Sequence, residues 1–192
     1  LRRRGSRRGG LGRLGCLLCR RGSRRSGLGS CRSLGGLISR VAMRGGEARG
    51  LSLDLGSVPG ISQFCKEMPF ETIDVLVSNA GSGKFAHLEE FSIADIQSMV
   101  QLNLTSHICL ARLLLPQLKR QEYSHLVFMG SETALSGGIK GAVYSACKAG
   151  LRGLAQSLRK ECAKSNLHVS IINPGMVKSD FHNSANFQPG EH

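Results

Sequence analysis

The stretch IDVLVSNAG, residues 73–81, decides how the rest of the chain is read. Its Ile, Val and Leu form a nearly continuous apolar run, and it ends in a small polar turn. A half-solvated strand would alternate apolar and polar residues. A continuous run marks a strand covered on both faces, as in a parallel sheet layered with helices. Working outward, HLVFMGS (125–131) and HVSIINPG (168–175) read as strands of the same kind, and LSLDL (51–55) as a short buried strand before them. Helical patterns separate them. A short helix is predicted around 60–67. A long helical region is predicted to about Arg120, opened by SIAD (92–95) with Ser92 as N-cap and an acid three residues later. Residues 142–163 carry small and apolar side chains at a period near 3.6. Alternating strand and helix with apolar strands predicts one α/β domain, a doubly wound, Rossmann-like parallel sheet.

The chain has 192 residues and a formal charge of +13, which resembles that of a nucleic-acid binder. The distribution of charge argues against that class. Residues 1–46 hold 13 Arg with no Lys and no acid, while the remainder carries 13 basic and 13 acidic residues. The body is neutral, and any pull on polyanions is confined to the first quarter. That quarter has no Lys, Tyr or Phe interleaved for base stacking, so nucleic acid is not the expected partner. The 7 Cys are odd in number and form no disulfide-like framework, which points to a reducing compartment. Cys16 and Cys19 stand in a lone C-x-x-C, and the 6 His have no metal-ligand spacing, so no metal is expected. No apolar run approaches the ~18 residues needed to cross a bilayer.

In sheets of this class ligands bind where strands end at their carboxyl edge. The polar punctuation falls there: Asp54; Ser78-Asn79-Ala80-Gly81; Gly130-Ser131; Pro174-Gly175. The sharpest constellation is Ser131 with Tyr144 and Lys148 of YSACK (144–148). Tyr144 and Lys148 are four apart near a helix start and therefore share a face. A tyrosine, with an ordinary pKa near ~10, is a poor proton carrier at neutrality. A lysine ammonium one turn away is expected to stabilise the phenolate and lower that pKa. Ser131 can hydrogen-bond a carbonyl or hydroxyl oxygen beside the tyrosine. Together they can polarise C=O or deprotonate CH–OH, as hydride exchange with a nicotinamide requires.

These segments, with GGEARGLSLDL (45–55), VSNAG (77–81), QLNL (101–104), FMGS (128–131), YSACKAGL (144–151) and NPGMVKS (173–179), resemble the short-chain dehydrogenase/reductase family in order and spacing. The resemblance covers residues 44 to 192. It implies an NAD(P)-dependent alcohol dehydrogenase or carbonyl reductase acting on a small-molecule alcohol or carbonyl substrate. By that resemblance Tyr144 is the acid/base, and Lys148 tunes it and holds the nicotinamide ribose. Ser131 orients the substrate oxygen, and Asn103 keeps a water in a relay to Lys148. From residues alone, Asn103 reads equally as a helix-kink or buried amide. The resemblance further places Asp54 and Leu55 at the adenine and Asn79, Ala80 and Gly81 along the dinucleotide. Pro174, Gly175, Val177 and Ser179 would frame the carboxamide. Ser78 departs from the family, which usually has Asn there. Ser179 stands where Thr is commoner. A homodimer or homotetramer is implied for the full-length fold.

Residues 1–43 form a separate Arg/Gly-rich segment. The family begins with a strand and a glycine loop for the pyrophosphate. GSRRGGLG (5–12) falls in that loop's register, with Gly10 and Gly12 as its glycines, and RLGCLLCRRG (13–22) in that of the first helix. Its near-copy GSRRSGLG (22–29) is out of register. Residues 1–4, Leu-Arg-Arg-Arg, cannot be a buried strand, because unpaired guanidiniums would be buried with them. Correct length with wrong chemistry predicts a degraded or disordered segment, consistent with a shifted reading frame restored before Gly45. No acid precedes Glu47 where a selector for the ribose 2′-hydroxyl would stand, which favours NADP over NAD. The family's lid and last strand are expected beyond His192, so a catalytically inactive fragment is one alternative. An RNA-associating protein using the basic segment is another. The expected compartment is the cytoplasm, or an organelle matrix if the Arg-rich segment is a transit peptide.

Overall fold

The computed structural model describes residues 14–16, 53–68 and 72–177, the first of these as backbone alone. The segment 1–13, including Gly10 and Gly12, and Ser179 lie outside the described residues.

Among the described residues, four parallel strands form one sheet in the order β1-β2-β3-β4. They are β1 (Leu14–Cys16), β2 (Val75–Ser78), β3 (Ser124–Met129) and β4 (Leu167–Ile172). Register pairs Leu14 with Val75, Val75 with His125, and His125 with His168. The helices are α1 (Val58–Glu67), α2 (Ile93–Val100), α3 (Ser106–Lys119), the single turn α4 (Thr133–Ser136) and α5 (Ala142–Glu161). A π-helical turn, Gln101–Thr105, joins α2 to α3 without a break.

Each strand adds to the sheet on the same side of its predecessor. Right-handed crossovers therefore lay the connecting helices on one face. The core forms there. Leu76, Leu126, Phe128 and Val169 from the sheet meet Ala111, Leu114 and Leu118 of α3 and Leu151, Ala155 and Leu158 of α5. The helical residues recur at one-turn spacing, which keeps one face of each helix apolar. The alternate strand residues, among them Val127, Met129 and Ser170, point to the other face and are only half-buried. The described helices thus supply one of the two layers expected of a doubly wound sheet.

The predicted Ser92 cap is present. Its Oγ accepts from Asp95 N–H at 3.1 Å, and the Asp95 carboxylate accepts the Ser92 N–H at 3.4 Å. Two expectations fail. The strand expected over 51–55 is absent at Leu53 and Asp54. The Asp54 carboxylate instead accepts Gly56 N–H at 2.9 Å and its carbonyl accepts Ser57 N–H at 3.2 Å, forming the turn that opens α1. Short acidic side chains compete with the ladder for backbone donors in this way. Leu53 and Leu55 are buried nonetheless, against Ile61, Leu102 and Leu110. The helix expected over 13–22 is also overturned at its start, since Leu14–Cys16 is a strand beside β2. Leu-Gly-Cys carries no charge, so its backbone pairs with Val75–Val77 without burying a guanidinium. The i, i+3, i+4 spacing of three leucines was the weaker signal.

Candidate active site

The carboxyl ends of β2, β3 and β4 meet the starts of α3 and α5. Asn103, inside the π-turn, is wholly buried. Its Nδ2 donates to Met99 O and to Ser82 O, each at 3.0 Å, and its Oδ1 accepts from Ser82 N–H at 3.1 Å. By taking the Met99 carbonyl, the side chain displaces the ordinary i→i−4 bond and accounts for the π-turn. Both sequence readings of Asn103, kink and buried amide, describe the same event.

Gly81 lies against that amide. A Cβ there would stand 2.8 Å from Asn103 Oδ1 and 3.8 Å from Lys148 Nζ. Gly130 is equally constrained, because a Cβ would fall 2.0 Å from Asn173 Oδ1. A side chain at either position would force the facing Asn to shift. Asn173 Oδ1 is itself buried with no hydrogen-bond partner among the described residues.

Lys148 is 4 % exposed, and its Nζ donates to Met129 O at 2.8 Å. Burial brings its pKa down to about 8, although Cys147 beside it acts to raise it. Tyr144, 8 % exposed, packs against Phe85 with ring centroids 5.6 Å apart. Burial raises the Tyr144 pKa, and a hydrogen bond with Ser131 opposes the rise. The Lys148 ammonium stands 5.5 Å from the ring centre. Lowering of the Tyr144 pKa by Lys148, expected from the sequence, is therefore not what dominates: desolvation wins, and Ser131 supplies the counter-effect. Ser131 Oγ also accepts from Thr133 Oγ1 at 3.0 Å and from Thr133 N–H at 3.3 Å.

The remaining expected residues divide. Asn79 and Gly81 are exposed at the end of β2, with Ala80 half-buried. Pro174 O accepts Glu132 N–H at 3.0 Å, tying the Pro-Gly turn to the residue after Ser131. Gly175 and Val177 are exposed. Asp54 is exposed, whereas the Leu55 side chain is 2 % exposed within the core, so only its backbone can face a nucleotide. No group of three metal-ligating side chains occurs among the described residues. No helix among them is long and apolar enough to cross a membrane.

His107, given no role in the sequence reading, belongs to this edge together with Ser78. His107 is buried, with Nδ1 2.6 Å from Ser78 Oγ and Nε2 2.8 Å from Ala80 O. Burial, and then the charge of Lys148, bring its pKa down to about 4, while the bond to Ala80 acts to raise it. The signal was available: His107 follows Asn103 by one helical turn, and Ser78 is the site of the family departure.

The family model for short chain dehydrogenases matches residues 30–189. The chain is 32% identical over 141 residues to retinol dehydrogenase 8 of Bos taurus, covering 71% of this chain and 45% of that protein. It is 33% identical over 132 residues to carbonyl reductase family member 4 of Xenopus tropicalis, covering 68% and 56%. An alcohol dehydrogenase of Thermococcus sibiricus, solved with 5-hydroxy-NADP, superposes with a TM-score of 0.73 at 25% identity, over 83% of this chain and 68% of that one. A metagenomic short-chain oxidoreductase solved with NADP gives 0.70 at 28%, over 77% and 68%. The chain belongs to the short-chain dehydrogenase family, with its Rossmann-like parallel sheet. It spans about half the length of these two curated relatives.

Proposed function

We propose that this chain carries the catalytic edge of an NAD(P)-dependent oxidoreductase that interconverts an alcohol and a carbonyl. The observation carrying this reading is the convergence of Asn103, Ser131, Tyr144 and Lys148 on one sheet edge, with Tyr144 hydrogen-bonded to Ser131. The structural relatives solved with NADP support the choice of cofactor.

The residues fit a dinucleotide. Lys148 has three N–H donors and makes one hydrogen bond among the described residues, leaving capacity for a ribose diol. Gly81 and Asn79 present exposed backbone at the end of β2, where a nucleotide would lie. Pro174, Gly175 and Val177 would flank the carboxamide. In this proposal residues 44–192 carry the catalytic part of the reductase body, and the Arg/Gly-rich segment 1–43 contributes β1 to its sheet.

In the oxidative direction, deprotonated Tyr144 takes the hydroxyl proton of the substrate while Ser131 donates to the same oxygen. A nicotinamide bound there would accept the hydride in this direction and supply it in the reverse. Lys148 holds positive charge beside the tyrosine, favouring the phenolate as the proton arrives or leaves. Asn103 fixes the Ser82 backbone and would keep a water in a proton relay to Lys148. NADP is favoured over NAD, and the full-length protein would be a homodimer or homotetramer.

The test is titration with NADPH and NADH, followed by nicotinamide fluorescence, and assay with simple ketones and alcohols. Saturable enhancement with NADPH, and turnover lost in Tyr144→Phe, is the expected result. No enhancement with either nucleotide would defeat the reading. Strong, salt-sensitive RNA binding in its place would favour the nucleic-acid alternative.

A further inference from the structure

The buried Ser78–His107–Ala80 bridge has an assignable proton. A carbonyl oxygen only accepts, so at 2.8 Å the Nε2 of His107 must donate to Ala80 O. A neutral imidazole has one N–H, which leaves Nδ1 as acceptor and makes the Ser78 hydroxyl, 2.6 Å away, the donor. A neutral ring is what the surroundings favour. Ser78 and His107 are 3 % and 1 % exposed, and the charged side chain acting on His107 is the Lys148 ammonium, which opposes protonation. Both ring nitrogens are thereby satisfied, and the tautomer is locked by chemistry rather than choice.

The consequence reaches the nucleotide turn through the peptide plane. The Ala80–Gly81 peptide is trans and planar, so fixing its C=O toward His107 directs Gly81 N–H the opposite way. Gly81 is exposed, and its N–H has no partner among the described residues. It lies beside Asn103 and Lys148, since a Cβ on Gly81 would approach both. We propose that His107 is a positioning residue: as a neutral imidazole bridging the Ser78 hydroxyl and the Ala80 carbonyl, it sets the Ala80–Gly81 peptide so that Gly81 N–H meets an oxygen of the bound dinucleotide. The assignment rests on the cofactor reading above and deepens it. It also explains the departure at Ser78. Asn carries two more side-chain heavy atoms than Ser, whose Oγ already stands 2.6 Å from the ring. Ser78 and His107 are a mutually fitted pair.

Three measurements on the full chain test this. Imidazole ¹⁵N spectra at pH 7 should show His107 with the Nε2–H tautomer; an Nδ1–H tautomer or an imidazolium overturns the bridge. His107→Phe keeps the volume and removes both hydrogen bonds, and should raise the NADPH dissociation constant about tenfold. His107→Gln returns an acceptor and a donor at similar separation and should recover most of that loss. Unchanged affinity in a folded His107→Phe overturns the proposal. Should His107→Phe not fold, Ser78→Ala replaces it: a mixed tautomer and an affinity loss of about threefold are expected, and an unaltered spectrum and affinity count against the idea. If the unmodified chain binds neither NADPH nor NADH, the cofactor reading fails on its own. The positioning is then read from exchange of the Ser82 amide, which Asn103 accepts at 3.1 Å. Exchange about tenfold faster in His107→Phe, slowed again in His107→Gln, supports it, and equal rates in all three chains refute it.

Discussion

The two ends of the sheet carry the same kinds of side chain and put them to opposite use. At the carboxyl end, His107, Tyr144 and Lys148 are each less than a tenth exposed, and the proton affinities of all three are displaced. At the amino end, Tyr123, His125 and His168 stack on one another across β3 and β4. Their ring centroids lie 4.8, 5.0 and 5.3 Å apart, with Tyr123 60% exposed. A histidine and a tyrosine are present at both ends, so residue type does not distinguish them. Burial and fixed partners do. Helices start over the carboxyl end, bury the ionisable groups there and displace their proton affinities, which is what acid–base chemistry needs.

The largest effect that can break this comparison is catalytic. Tyr144→Phe should lower turnover at least about hundredfold while leaving NADPH binding nearly intact. Tyr123→Phe should change neither. Equal losses in the two variants would erase the distinction between the ends.

Next is the response to acid. His107 has a folded pKa of about 4 against an ordinary 6.5, so between those values the unfolded chain binds more protons. Stability from keeping His107 neutral is complete above pH 6.5 and is lost as the pH falls towards 4. The gap corresponds to about 3 kcal/mol. Urea unfolding across that range should be less pH-dependent in His107→Phe than in the parent. Lys148, lowered from 10.5 to about 8, acts in the same direction at alkaline pH: stability rises as the pH climbs from 8 to 10.5.

Packing effects follow in size. Asn103→Ala strands the Ser82 N–H and the Ser82 and Met99 carbonyls, and should cost about 2–3 kcal/mol in chemical unfolding. Gly81→Ala places a methyl 2.8 Å from Asn103 Oδ1 and should cost about 1–2 kcal/mol, with weaker NADPH binding. At the amino end, His168→Ala should stay within about 0.5 kcal/mol of the parent; a larger change would mean the stack is a structural element in its own right.

Much of this was legible before any coordinates. The apolar runs read at 73–81, 125–131 and 168–175 announce the strands found at 75–78, 124–129 and 167–172, because a parallel sheet must exclude polar residues from both faces. Ser92 and Asp95 announce the start of α2 because a helix end needs acceptors for its first amides. Tyr144 and Lys148 share a face by helical geometry alone. At 51–55 the pattern misleads, since Leu53 and Leu55 are buried without strand pairing and the intervening carboxylate makes a turn instead. At 14–16 it misleads in the opposite sense, because three uncharged residues suffice for a strand when a partner is already in place.

The sequence by itself determined the fold class and put Tyr144 and Lys148 on one helical face, with Ser131 at the end of the preceding strand, all of which follows from local periodicity and short spacings. Only the tertiary structure decided that burial, more than Lys148, governs the Tyr144 hydroxyl, and that His107 holds the turn after β2. Both depend on which side chains meet across a sheet edge and how much water is excluded there. Ser78 and His107 are 29 residues apart in the chain and 2.6 Å apart in space, a distance no local pattern encodes.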